Sequence, residues 1–128
     1  PALGYLHANC GNCHRRTPGA PDECSSPACR TGLHMWVNVA TPSPQATSTW
    51  MTAFQVRGLF YDPDAPNALC RLHPGSPDTS TIVFRMMSRG DSSQMPPFGT
   101  EISHPEGIAT VRAWIASLSS VGSDPCVP

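Results

Sequence analysis

The sequence predicts a mainly α fold: three to four short helices in a loop-rich chain, with a small β-hairpin inserted in residues 33–57. Three observations predict it. Apolar residues recur at helical spacing in three stretches, over 2–13, from Thr79 or Ser80 to about 90, and over 105–119. Fifteen prolines and ten glycines in 128 residues break the chain often, so no element runs long. Six cysteines suit such a fold, which gains from covalent staples. A chain of 128 residues has the length of one domain, and 1–128 reads as one, without internal repeats.

The elements follow in order. Ala2, Leu3, Leu6, Ala8 and Cys10 give the first helix an imperfect apolar face, and Pro1 sits where a helix start tolerates it. Pro18, Gly19, Pro21 and Pro27 break the next stretch into a loop. Leu33, Met35, Val37 and Val39 alternate with His34, Trp36 and Asn38, the period of a strand. After a polar loop over 41–49, residues 50–57 return as its partner. Residues 73–78 form a turn, and Thr79 or Ser80 then caps a helix through Ile82, Val83, Phe84, Met86 and Met87, with Gly90 at its C-terminal end. Residues 91–100 are a loop. Pro105 and Glu106 suit the first turn of the clearest helix, where Ile108, Val111, Ile115 and Leu118 form a stripe beside Trp114. Gly122 to Pro128 is an irregular tail carrying Cys126.

Charge excludes some functions. The net charge is −1, all eight basic residues are Arg, and they form no run, so nucleic-acid binding is not expected. No apolar run is long enough to span a bilayer.

The densest chemistry lies in Cys10-Gly11-Asn12-Cys13-His14. Cys-x-x-Cys-His is the attachment signal of a c-type haem. Two thiols on successive helical turns each form a thioether to a vinyl group, and the following His ligates the iron. Such a His usually donates its other ring nitrogen to a carbonyl, and the backbone near Pro18 or Pro21 is the candidate partner. Haem attachment belongs to an exported compartment, so the chain is expected to be periplasmic or extracellular, its leader removed or lying upstream of this sequence. Cys24, Cys29, Cys70 and Cys126 then form two disulfides in one of three pairings. Cys24–Cys29, a short local loop, and Cys70–Cys126, which ties the tail to the middle, are favoured.

The sixth iron ligand is drawn from the methionines and the other histidines. Met95 stands out because Pro96 and Pro97 follow it and fix two φ angles where a weak thioether must be held. Prolines also carry no N–H to leave unsatisfied beside an apolar ring. Met35, Met51, Met86 and Met87 read as core filling, His7 as too near His14 in sequence, and His34, His73 and His104 as turn or surface residues. Arg57 and Arg71 are candidates to pair with haem propionates, with solvent as the ordinary alternative.

In these residues the chain resembles a bacterial monohaem cytochrome c of the class I type. Tyr5-Leu6 before Cys10 to His14 carries the resemblance, with Pro74-Gly75-Ser76-Pro77-Asp78 leading to Gln94-Met95-Pro96-Pro97-Phe98-Gly99, and Glu106-Gly107 through Val111-Arg112-Ala113-Trp114-Ile115. It covers 3–18 and 72–119, whereas 20–70 is longer than the family's minimal pattern. The resemblance implies a cytochrome c-like fold around one covalent haem c. Cys10 and Cys13 are the attachment residues and His14 and Met95 the axial ligands. Such domains stand alone or end larger periplasmic proteins. The expected function is one-electron transfer, without catalysis of its own, to redox partners such as a dehydrogenase, an oxidase or a membrane electron-transfer complex. A gas sensor or peroxidase-like domain with an open iron site is one alternative. A structural zinc or disulfide module built on Cys10, Cys13, Cys24 and Cys29 is another.

Overall fold

Helix α1, Ala2–Cys10, begins directly after Pro1, its N-cap residue, whose carbonyl accepts the Tyr5 N–H at 2.9 Å. The structure, a computed structural model, describes residues 1–15, 27–58 and 67–126. Among these residues there are five α-helices, two 3₁₀ turns and no strand longer than an isolated bridge. The fold is mainly α and loop-rich. None of these helices is long and apolar enough to cross a membrane. The chain groups into two compact units, Pro1–Ala53 and Phe54–Pro128.

In the first unit, α1 buries Ala2 and Leu6, one helical turn apart. It ends at Cys10, earlier than the expected residue 13. A single turn, α2 (Pro27–Arg30), carries the buried Cys29. A 3₁₀ turn at Pro44–Ala46 leads into α3, Ser48–Ala53.

Helix α3 replaces the second strand of the expected hairpin, and its start shows why. Thr47 Oγ1 accepts the Trp50 N–H at 3.2 Å, and the Thr47 carbonyl accepts the Met51 N–H at 3.1 Å. Thr47 thus caps the helix. Ser48 and Thr52, four residues apart, share a helix face. Thr52 Oγ1 accepts the His34 N–H at 2.9 Å, and the Ser48 hydroxyl donates to the Trp36 carbonyl. Hydroxyls of a helix therefore satisfy the backbone of residues 34–36, which needs no partner strand. Of the four residues expected to share a buried face there, Met35 is buried while Val39 is fully exposed.

The second unit is built on α4 (Thr81–Met87) and α5 (Pro105–Ala116), which pack together. Helix α4 buries Ile82, Val83 and Met86. Ser80 precedes it but makes no side-chain cap. Instead the Thr81 and Ile82 N–H groups donate to the Cys70 and Arg71 carbonyls at 2.9 and 3.1 Å. The 70–72 segment caps α4, which frees Ser80 Oγ to accept the His73 N–H at 2.9 Å. Helix α5 buries Gly107, Val111 and Ile115, every fourth residue of one face. Asp78 pairs with Arg112 at 2.7 Å, linking the 3₁₀ turn Pro77–Thr79 to α5. Gly75, at φ +75°, donates its N–H to the Ile115 carbonyl at 2.9 Å. A left-handed backbone suits glycine there.

A disulfide joins Cys70 to Cys126, both buried. Cys29 is also disulfide-bonded. The expected Cys24–Cys29 pairing has one end, Cys24, outside the described residues.

Candidate functional site

The segment of residues 10–14 forms a closed turn at the end of α1. Gly11 N–H donates to the Leu6 and His7 carbonyls, at 3.2 and 3.0 Å. The Cys13 and His14 N–H groups then both donate to the Cys10 carbonyl, at 3.2 and 2.9 Å. Wrapping around one carbonyl sets Cys10, Cys13 and His14 on a single turn. The Met35 N–H donates to the His14 carbonyl at 2.7 Å and holds the turn from its far end.

Gly11 lies where this segment crosses the turn. A Cβ at this position would stand 2.5 Å from the His7 carbonyl oxygen and 3.0 Å from that of Met35. Both obstacles are backbone, so neither yields cheaply. Gly11→Ala is expected to destabilise the protein by about 1–3 kcal/mol, the usual cost of overpacking, as read by thermal or denaturant unfolding.

The two thiols differ in environment. Cys10 is half-buried and Cys13 exposed, and neither is in a disulfide. Burial, and then the neighbouring Cys13, pushes the Cys10 thiol up to about 11, so it stays protonated at neutral pH. His14 is half-buried, and its Nδ1 is fully buried. The carbonyls near Pro18 and Pro21 expected to orient it lie outside the described residues.

His7 reinforces the turn. Its Nδ1 accepts the Val37 N–H at 2.9 Å, which assigns the ring proton of the neutral imidazole to Nε2. The same ring lies 4.4 Å from Trp36, and the Arg15 guanidinium sits 5.3 Å from the Trp36 ring. Nothing in the sequence pattern singled out Trp36 for this position.

Met95 belongs to the second unit. Its N–H donates to the Arg85 carbonyl in the last turn of α4, at 2.9 Å. The side chain is half-buried. Gln94 braces the loop: its Oε1 accepts the Gly90 N–H at 2.8 Å, and its Nε2 donates to the Pro96 and Thr100 carbonyls, both at 3.1 Å. Thr100 Oγ1 adds a bond to the Pro96 carbonyl at 3.2 Å.

The other candidates separate. Met35 and Met86 are buried as expected of core residues. Met51 and Met87, also expected in the core, are exposed: each falls on the outward side of its short helix. His104 is exposed, 3.4 Å from Glu106. Arg57 is exposed, whereas Arg71 is buried and desolvation lowers its pKa below the ordinary arginine value.

His73 was expected to be a turn or surface residue and instead joins a polar cluster at the tail. Its Nδ1 lies 2.7 Å from Thr79 Oγ1 and its Nε2 3.2 Å from Asp124 Oδ2. Asp124 also accepts the Cys126 N–H at 2.9 Å and the Ser120 hydroxyl at 3.1 Å. These bonds, that of Cys126 first, hold the Asp124 carboxyl below its usual pKa. His73, Asp124 and Cys126 bring potential metal donors within 4.8 Å of one another. The Cys126 sulfur is already bonded to Cys70, so it offers no thiolate.

No family model, curated protein or solved structure matches this chain.

Proposed function

We propose that this chain carries one covalently attached c-type haem and transfers single electrons, with His14 and Met95 as its axial ligands. One observation carries the proposal. Cys29, Cys70 and Cys126 are all in disulfides, while Cys10 and Cys13, on the turn that leads into His14, are outside any disulfide. A chain that oxidises its other described cysteines and leaves this pair outside any disulfide keeps two sulfurs available for thioether bonds. Each thiol adds across a vinyl C=C bond of the haem: sulfur bonds one carbon and the thiol hydrogen goes to the other.

When bound, the haem supplies a one-electron iron couple, whose potential a thioether opposite an imidazole raises. The chain does the rest. The turn around the Cys10 carbonyl holds the thiols and the His14 ring in one frame. The loop over 91–100 carries the Met95 sulfur on a braced backbone. With His14 and Met95 both holding the iron, no position would be left for a substrate, and the role would be that of a carrier. Disulfides agree with an exported compartment, and partner redox proteins would supply and accept the electron. A zinc module on Cys10, Cys13, Cys24 and Cys29 is disfavoured, because a disulfide-bonded Cys29 has no thiolate to give.

The protein expressed with a haem-attachment system should be red, with the haem staying on the chain in a denaturing gel. Cys10→Ser with Cys13→Ser should lose that covalent haem. Colourless wild-type protein would overturn the proposal.

A further inference from the structure

We propose that Gln94 is the positioning residue for Met95, its carboxamide replacing the backbone hydrogen bonds that Pro96 and Pro97 cannot make. The inference rests on Met95 being an iron ligand. A loop that presents a weakly binding sulfur must hold its backbone still, or motion opens the iron face. Loops normally do so with their own N–H groups. Here two consecutive prolines remove both donors directly after the ligand. The Met95 N–H to the Arg85 carbonyl anchors the near side of the loop.

Gln94 spans the gap. Its single acceptor takes the Gly90 N–H before the ligand, at 2.8 Å, and its amino group serves the Pro96 and Thr100 carbonyls after it, at 3.1 Å. The two ends of one carboxamide therefore tie together the chain on both sides of Met95. The partners fix its orientation, since an N–H needs the oxygen and two carbonyls need the nitrogen. Glutamate has nearly the same shape and keeps the acceptor, but it turns an oxygen toward those carbonyls in place of the donor. The two arms can thus be separated by substitution.

The test uses the full chain with its haem attached, in Met95→Ala, Gln94→Ala and Gln94→Glu forms. Hydrogen exchange at the Gly90 amide should speed up in Gln94→Ala and stay slow in Gln94→Glu, reporting the acceptor arm alone. The sulfur-to-iron charge-transfer band of the oxidised protein should weaken in both Gln94 variants. Carbon monoxide binding to the reduced form should rise roughly tenfold, about the effect of losing one part-buried hydrogen bond. If Met95→Ala abolishes the band while both Gln94 variants keep the parent's band and carbon monoxide binding, Gln94 does not position the ligand. If Met95→Ala leaves the band intact, the ligand assignment itself fails, a distinct outcome that overturns this inference too. Should Gln94→Ala fail to fold, Gln94→Glu alone decides through the same two spectroscopic readouts.

Discussion

Met95→Ala is expected to abolish the sulfur-to-iron charge-transfer band and open the iron to carbon monoxide. A methyl group cannot reach where the proposed thioether ligand would, and no other residue of the 91–100 loop is a methionine, histidine or cysteine. The reduction potential should fall by roughly 0.1 V or more, within the ~0.8 V range that axial ligands span. Stability should fall by about 2 kcal/mol, the low end for Met to Ala because Met95 is only half-buried. Absorption spectra, titration with carbon monoxide and voltammetry read these effects separately. A variant with unchanged band and potential would remove Met95 from the site and favour an iron face closed by another residue.

Cys70→Ser with Cys126→Ser should have the largest effect on stability. The bond closes a loop of sequence separation 56, worth about 4 kcal/mol in lost chain entropy. The melting temperature should then drop by roughly 10–20 °C for a chain this size. Both positions are buried, so the new hydroxyls add an unsatisfied polar burden. Without the bond, the tail depends on Asp124 and its partners. The pKa of Asp124 is lowered in the folded state, so its contribution is present above the ordinary carboxylate range and is lost as pH falls through the folded value. The double variant should therefore be more sensitive to acid than the parent. Unfolding curves at neutral and acid pH check both points.

Much of the fold was legible where local signals agree. Helix α5 has Pro at its first position, Glu in its first turn and a four-residue apolar stripe, and it forms almost where those signals put it. Helix α4 was legible in its apolar run but not in its cap, because the capping carbonyls come from residues 70 and 71, each eleven positions upstream of the N–H it accepts. Helix α3 was misread as a strand. Its six residues, Ser-Thr-Trp-Met-Thr-Ala, carry β-forming types, and the deciding contacts are the Thr47 cap and the hydroxyls facing residues 34–36. Within the candidate site, the Cys10 to His14 motif and the prolines after Met95 are visible as spacing. Gln94 is not, since any polar loop residue looks the same until its partners are known. His73 and Asp124 lie 51 positions apart, beyond the reach of any local pattern.

The Cys70–Cys126 bond also closes α4, the Met95 loop and α5 into one covalent ring. A single cut anywhere on that ring severs the chain without releasing a fragment. One open place for such a cut is next to Phe98, which is 78% exposed beside the proposed ligand. A protease that nicks there leaves two pieces tethered at their far ends, able to close again on each other. Only reduction of the bond as well frees them, so resistance to loss of the Met95 loop resides in a sulfur bridge outside that loop.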